Sequence, residues 1–182
     1  MGNNTWDNLL DPTAVARGTA KTTFTGALDI SPTPLCASYA NELKLGSRII
    51  VEAWGEYSCL TAATLGLGVW YNAVATSAWA TAQFTTGTTP TAWPWHLRWN
   101  GLVTAVGTAG TIDGIGVADI GSSLTAINLG QALPATAAAR IVTCDTTAMK
   151  NWGILANYGA SSASNSITCY AYNVQILNQG TT

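Results

Sequence analysis

Residues 92–103, read as AWPWHLRWNGLV, constrain the fold more than any other stretch of the chain. Trp93, Trp95, Leu97, Trp99 and Val103 fall on odd positions, with Pro94, His96, Arg98 and Asn100 between them. A period of two is that of a β-strand with one apolar face. Three indoles on that face present about 150–250 Å² each, more than a lone hairpin covers, so the strand is expected to lie against a second sheet. Pro94 donates no backbone hydrogen bond and places its end of the strand at an edge or a bulge.

The rest of the chain reads the same way. Residues 21–28 are Thr-rich and β-branched, and Ser31, Pro32, Thr33 and Pro34 follow as a loop. Residues 35–43 make a helical turn at most. In residues 48–57, Ile49, Val51, Ala53 and Tyr57 form the better core face, opposite Arg48, Ile50, Glu52, Trp54 and Glu56. In residues 64–71, Leu65, Leu67, Val69 and Tyr71 point one way, and Gly66, Gly68 and Trp70 the other; bare glycine there admits a close neighbour. Further extended runs cover residues 79–84, 110–120 (where alternation is poor), 139–147, 151–158 and 165–177. In the last run Tyr170, Tyr172, Val174 and Ile176 share a face.

The expected architecture is all-β: a single jelly-roll β-sandwich of about eight to ten antiparallel strands over residues 21–182, with residues 1–20 as a short N-terminal arm. An up-and-down barrel and an immunoglobulin-like sandwich are the alternatives. No internal repeat suggests a propeller or solenoid.

Charge sets the function classes that drop out. Asp, Glu, Lys and Arg together make 9 % of the chain, against about 25 % in ordinary soluble proteins. A neutral surface of Thr, Ser, Asn and Gly suits a chain packed against copies of itself. Net charge is −2, so there is no basic patch for nucleic acid and no polybasic segment for a membrane surface. No window reaches the about 18 apolar residues of a membrane helix. The opening MGNNTWD has neither a positive leader nor an apolar core, which reads as no signal peptide and synthesis in the cytoplasm. Cys36, Cys59, Cys144 and Cys169 match neither a paired zinc pattern nor a dense disulfide framework. They read as buried free thiols, or as one bridge formed between neighbouring strands after release from a cell.

The chain displays little chemistry. His96 is its one histidine. A Ser-His-Asp site would have to use it with Asp113, Asp119 or Asp145, and no Gly-x-Ser-x-Gly elbow supports that. Glu52 and Glu56 share a strand face, which is not the facing pair a glycosidase needs. Asp113 and Asp119 are too far apart for a calcium loop, and Gly114-Ile115-Gly116 lacks the context of a dinucleotide site. The reading is a non-enzyme without catalytic residues, metal or cofactor. Eight tryptophans remain. Trp6, Leu9, Leu10, Trp54, Trp70 and Trp152 are the candidate interface residues, since aromatics concentrate at interfaces where charges are depleted. The alternative is that a second layer covers them, and that the arm packs back on its own domain.

Four segments carry a resemblance: LGSRIIVEA at residues 45–53 with Gly55, WPWHL at 93–97, DTT at 145–147 and NSIT at 165–168. In this order they resemble the small minor structural proteins of tailed bacteriophages, particularly phages of actinobacteria. The resemblance implies a trimeric jelly roll similar to the tumour-necrosis-factor fold, serving as a head fibre, capsid decoration or minor tail component. It implies a virion location, a homotrimer, and docking on the major capsid protein or another virion protein. The alternative is a carbohydrate- or host-receptor-binding module, with a glycan stacked on an exposed indole such as Trp54 or Trp70.

Overall fold

The computed structural model describes residues 4–5, 21–22, 26–33, 35–59, 63–74, 78–123 and 126–178. Its first sheet contains β1 (Asn4–Thr5), β2 (Lys21–Thr22), β5 (Arg48–Ser58), β9 (Trp93–Ala105), β10 (Gly110–Ser123), β11 (Ala126–Leu133), β12 (Ile141–Cys144) and β14 (Ser166–Leu177). The second contains β3 (Gly26–Asp29), β4 (Cys36–Ser38), β6 (Thr64–Tyr71), β7 (Ala78–Ala80), β8 (Phe84–Thr85) and β13 (Lys150–Tyr158). All pairings are antiparallel among the described residues.

Short segments share lanes. β1 and β2 both pair with β14, β3 and β4 with β13, β7 and β8 with β6, and β11 and β12 with β10. Counted by lane, the first sheet runs β1/β2, β14, β5, β9, β10, β11/β12, and the second β3/β4, β13, β6, β7/β8. The first lane in sequence lies beside the last strand, and the second beside the last but one. That nesting is a jelly roll with an added hairpin after β9, and it bears out the expected all-β sandwich. The arm contributes Asn4 and Thr5, which pair with Leu177 and Ile176. Trp6, Leu9 and Leu10 lie outside the described residues.

The core follows the period-two reading. Ile49, Val51, Ala53 and Tyr57 of β5, Leu65, Leu67, Val69 and Tyr71 of β6, and Trp95, Leu97, Trp99 and Val103 of β9 are all buried between the sheets. Pro94 sits one residue beyond Trp95–Ile120, where the β9–β10 ladder stops, so its missing N–H costs no bond to β10. At the centre the Trp99 ring lies on Gly101 and Gly114: a Cβ at either glycine would come within 2.3 Å of it. From the opposite sheet, Trp79 and Trp152 press on that ring at centroid distances of 4.6 and 5.9 Å.

Several local expectations change. Residues 35–43, read as a helical turn at most, hold β4, and residues 21–28, read as one strand, divide between β2 in the first sheet and β3 in the second. Residues 79–84 are not one strand but β7 and β8 separated by a break. Tyr170 leaves the face of Tyr172, Val174 and Ile176, because a bulge between Cys169 and Ala171 shifts the phase of the strand. Residues 139–147 hold a strand only at Ile141–Cys144, preceded by a short 3-10 turn at Ala137–Ala139. β11 and β12 lie end to end along the far edge of β10, pairing with residues 116–123 and 110–113 respectively. All four cysteines are buried and free. Burial pushes the Cys144 thiol up to about 12 and the Cys169 thiol higher still, which leaves them inert as nucleophiles.

Candidate interaction face

The first sheet has its inner face in the core and its outer face in water, and the strand registers set the outer face out as rows. Ala171, Trp54, His96, Asp119 and Gly130 form one row across β14, β5, β9, β10 and β11. Asn173, Glu52, Arg98, Val117 and Ala132 form the next. Then come Gln175, Ile50, Asn100 and Ile115, and last Leu177, Arg48, Leu102, Asp113 and Ile141.

Two different surfaces share this face. Val117, Ile115, Leu102 and Ile141 form an apolar strip over β9, β10 and β12, which continues past the strand ends to Val106 and Leu45. All six are 48 to 64 % exposed. Val106 and Leu45 rim a shallow depression of about 230 Å³ that Asn41, Leu43, Thr146 and Thr147 also line. These loops are cross-braced: Asn41 N–H donates to Thr146 O at 3.0 Å, Thr146 N–H to Gly107 O at 3.0 Å, and Gly46 N–H to Val103 O at 2.9 Å. Beside them, the Thr147 hydroxyl and N–H both donate to Asp145 Oδ1 at 2.7 and 2.9 Å, and with Lys150 nearby they hold that carboxyl below the usual range. Polar groups border the strip in closed pairs. Arg140 grips Asp113 through two bonds of 3.0 and 3.1 Å, and Arg48 Nη2 donates to Asn100 Oδ1 at 2.8 Å.

The opposite corner belongs to Trp54, 45 % exposed. Its cross-strand neighbours are His96 and Ala171. Glu52 Oε1 lies 3.2 Å from His96 Nε2 and 3.3 Å from Arg98 Nε. His96 thus has a carboxylate partner in Glu52 and faces Asp119 across the β9–β10 ladder, and Glu52 and Glu56 stand two residues either side of Trp54 on one strand. Asp113, bound to Arg140, and Asp145, bound to Thr147, are in separate places. No group of three or more His, Cys, Asp or Glu side chains able to hold a metal ion is present among the described residues.

The candidate interface tryptophans separate sharply. Trp54 is exposed. Trp70 is not: it faces away from the core, yet is 4 % exposed, because its ring folds over Gly153 and its Nε1 donates to Asp29 Oδ1 at 3.2 Å. Trp152 is fully buried in the core against Tyr71, Trp79 and Trp99. Neither offers a surface for a partner. Trp79, unassigned by its sequence context, is also core, with Nε1 donating to Arg140 O at 2.7 Å. The strip itself was not among the expected contact residues. Its signal was the poor alternation of residues 110–120, where glycines face in and Ile115 and Val117 face out.

Among the described residues no helix is long and apolar enough to cross a membrane. Comparison with protein-family models, with curated proteins and with solved structures finds no match to this chain.

Proposed function

We propose that this chain is a non-enzymatic structural protein of a tailed-bacteriophage particle, which self-associates and docks on the capsid as a decoration or head-fibre protein. The observation that carries the assembly part is the apolar strip of Val117, Ile115, Leu102, Ile141, Val106 and Leu45 on an otherwise sparsely charged surface. Fully burying one such side chain stabilises by about 1.5–3 kcal/mol, so covering the exposed half of six contributes about 5–9 kcal/mol. Association costs about 4–15 kcal/mol in lost freedom, so the strip supplies a large share of what a specific contact needs. Low charge content reduces the desolvation cost of dense packing. The phage assignment and the threefold symmetry rest on the sequence resemblance.

Size-exclusion chromatography with light scattering at micromolar concentration tests the assembly. The expected result is an oligomer, and Ile115→Asp with Leu102→Arg should return it to monomer with an unchanged far-UV spectrum. A wild-type monomer would defeat the proposal, as would a double variant that still assembles. Mass spectrometry of purified particles tests the location: dozens to hundreds of copies fit the head lattice, and absence from particles removes the virion role.

A further inference from the structure

We propose that Trp54, with Glu52, His96 and Arg98, forms a binding site for a neutral pyranose sugar, adjoining the apolar strip where Arg98 pairs with Val117. This goes beyond the assembly role.

Among the described residues Trp54 is the one exposed tryptophan. It stands where the β14 bulge meets β5, opposite Ala171, and pairs with His96 on β9, so its position is fixed by strands and not by a loop. Ala171, its partner on β14, has only a methyl group, and Tyr170 precedes it at the bulge. On the other side His96 and Arg98 converge on Glu52 Oε1 at 3.2 and 3.3 Å, a contact geometry that leaves Oε2 outside both bonds.

An apolar plate beside one oriented carboxylate and an exposed guanidinium is the chemistry of a sugar ring. The C–H face of a pyranose covers the indole, and vicinal hydroxyls donate to Glu52 and accept from Arg98. Same-face positions on a strand are about 7 Å apart and neighbouring strands about 4.8 Å, the span of one pyranose with its hydroxyls. The surroundings discriminate against other ligands. Glu52 and Glu56 flank the indole, so a nucleic-acid phosphate or an acidic sugar meets like charge. An apolar protein partner finds its complement on the strip, where Val117, Ile115, Leu102 and Ile141 adjoin, and not on an indole bordered by ionised groups.

The test uses ¹⁵N-labelled full-length protein titrated with the methyl pyranosides of glucose, galactose, mannose and N-acetylglucosamine. The Trp54 indole N–H resonance is identified as the one missing from Trp54→Ala. The expected result is a saturable shift of that resonance with at least one sugar at millimolar concentration, a loss of about tenfold in affinity in Glu52→Gln, and no binding by Trp54→Ala. Light scattering and circular dichroism of each variant should match wild type. If Trp54→Ala does not fold, Trp54→Phe replaces it, with weakened binding expected. No shift with any of the four sugars at tens of millimolar overturns the proposal, and so does undiminished binding in the folded variant lacking the indole.

Discussion

Gly114→Ala is the sharpest probe of how the sandwich is held together. A methyl group at residue 114 would lie 2.3 Å from Trp99 Cζ2 and 2.6 Å from Cε2 and Nε1, at least about 1 Å inside ordinary carbon contact distance. The ring cannot lift away, because Trp79 presses on it from the opposite sheet at 4.6 Å. Nor can it slide along β9, because Gly101 seats its far end just as closely. Overpacking of this kind costs about 1–3 kcal/mol, and a rigid ring trapped on both sides puts the cost near the upper end. For a chain of this length that lowers Tm by roughly 6–12 °C. Gly66→Ala is the control: its nearest neighbours are at 3.7 Å, ordinary contact, and the lower backbone entropy of alanine should leave stability unchanged or raised by about 0.5 kcal/mol. The decisive measurement is a double-mutant cycle with Trp99→Leu, followed by guanidinium denaturation at one protein concentration. With the indole gone, Gly114→Ala should cost less than about 0.5 kcal/mol, giving a coupling of about 1–3 kcal/mol. Additive effects of the two substitutions would refute the seating argument.

The remaining predictions concern buried polar groups and the thiols. Ser31→Ala should destabilise by about 1–3 kcal/mol and speed exchange of the Ile154 amide, since the Ser31 hydroxyl accepts from Ile154 N–H at 2.7 Å while donating to Asp29 at 2.7 Å; unchanged exchange would count against it. Burial pushes the Tyr71 phenol up to about 12 and those of Tyr57, Tyr158 and Tyr172 further. The fold favours the neutral phenol, so this stabilisation is complete below the ordinary value of about 10 and is lost as pH climbs toward the folded one. These phenols should ionise together with loss of the far-UV signal, and a smooth ionisation of all of them in the folded protein would contradict the burial. A thiol reagent should find none of the four cysteines reactive until denaturant is added; rapid native labelling of any one would show that its site opens.

What the sequence made legible depended on whether large residues face inward. In β9 the indoles do, so period-two alternation identified both the strand and its buried face. In β10 the roles invert: Gly114 and Gly116 lie under Trp99 and Leu133 while Ile115 and Val117 face water, so alternation fails where the outward surface matters most. Trp70 was placed on the correct side of β6, but no local pattern announces that Gly153, a distant residue, makes room for its ring. Trp152 followed the core period of β13 with Ile154, Ala156 and Tyr158, a signal readable once that strand's inner face is known. Trp54 was legible because the opposite face of β5 is so plainly apolar. The Tyr170 bulge was not, because one inserted residue leaves no trace in composition.

The outermost lane beside β10 bears on whether a strand of another chain can extend this sheet. β11 and β12 are separate pieces, parted by the chain's excursion through Pro134 and the 3-10 turn, and Gly114 N–H is capped by Arg140 O between them. Along this edge a newcomer would find an interrupted ladder, eight residues of β11 and then four of β12, on which to extend the sheet. Growth into fibrils by endless strand addition along this edge is thereby blunted.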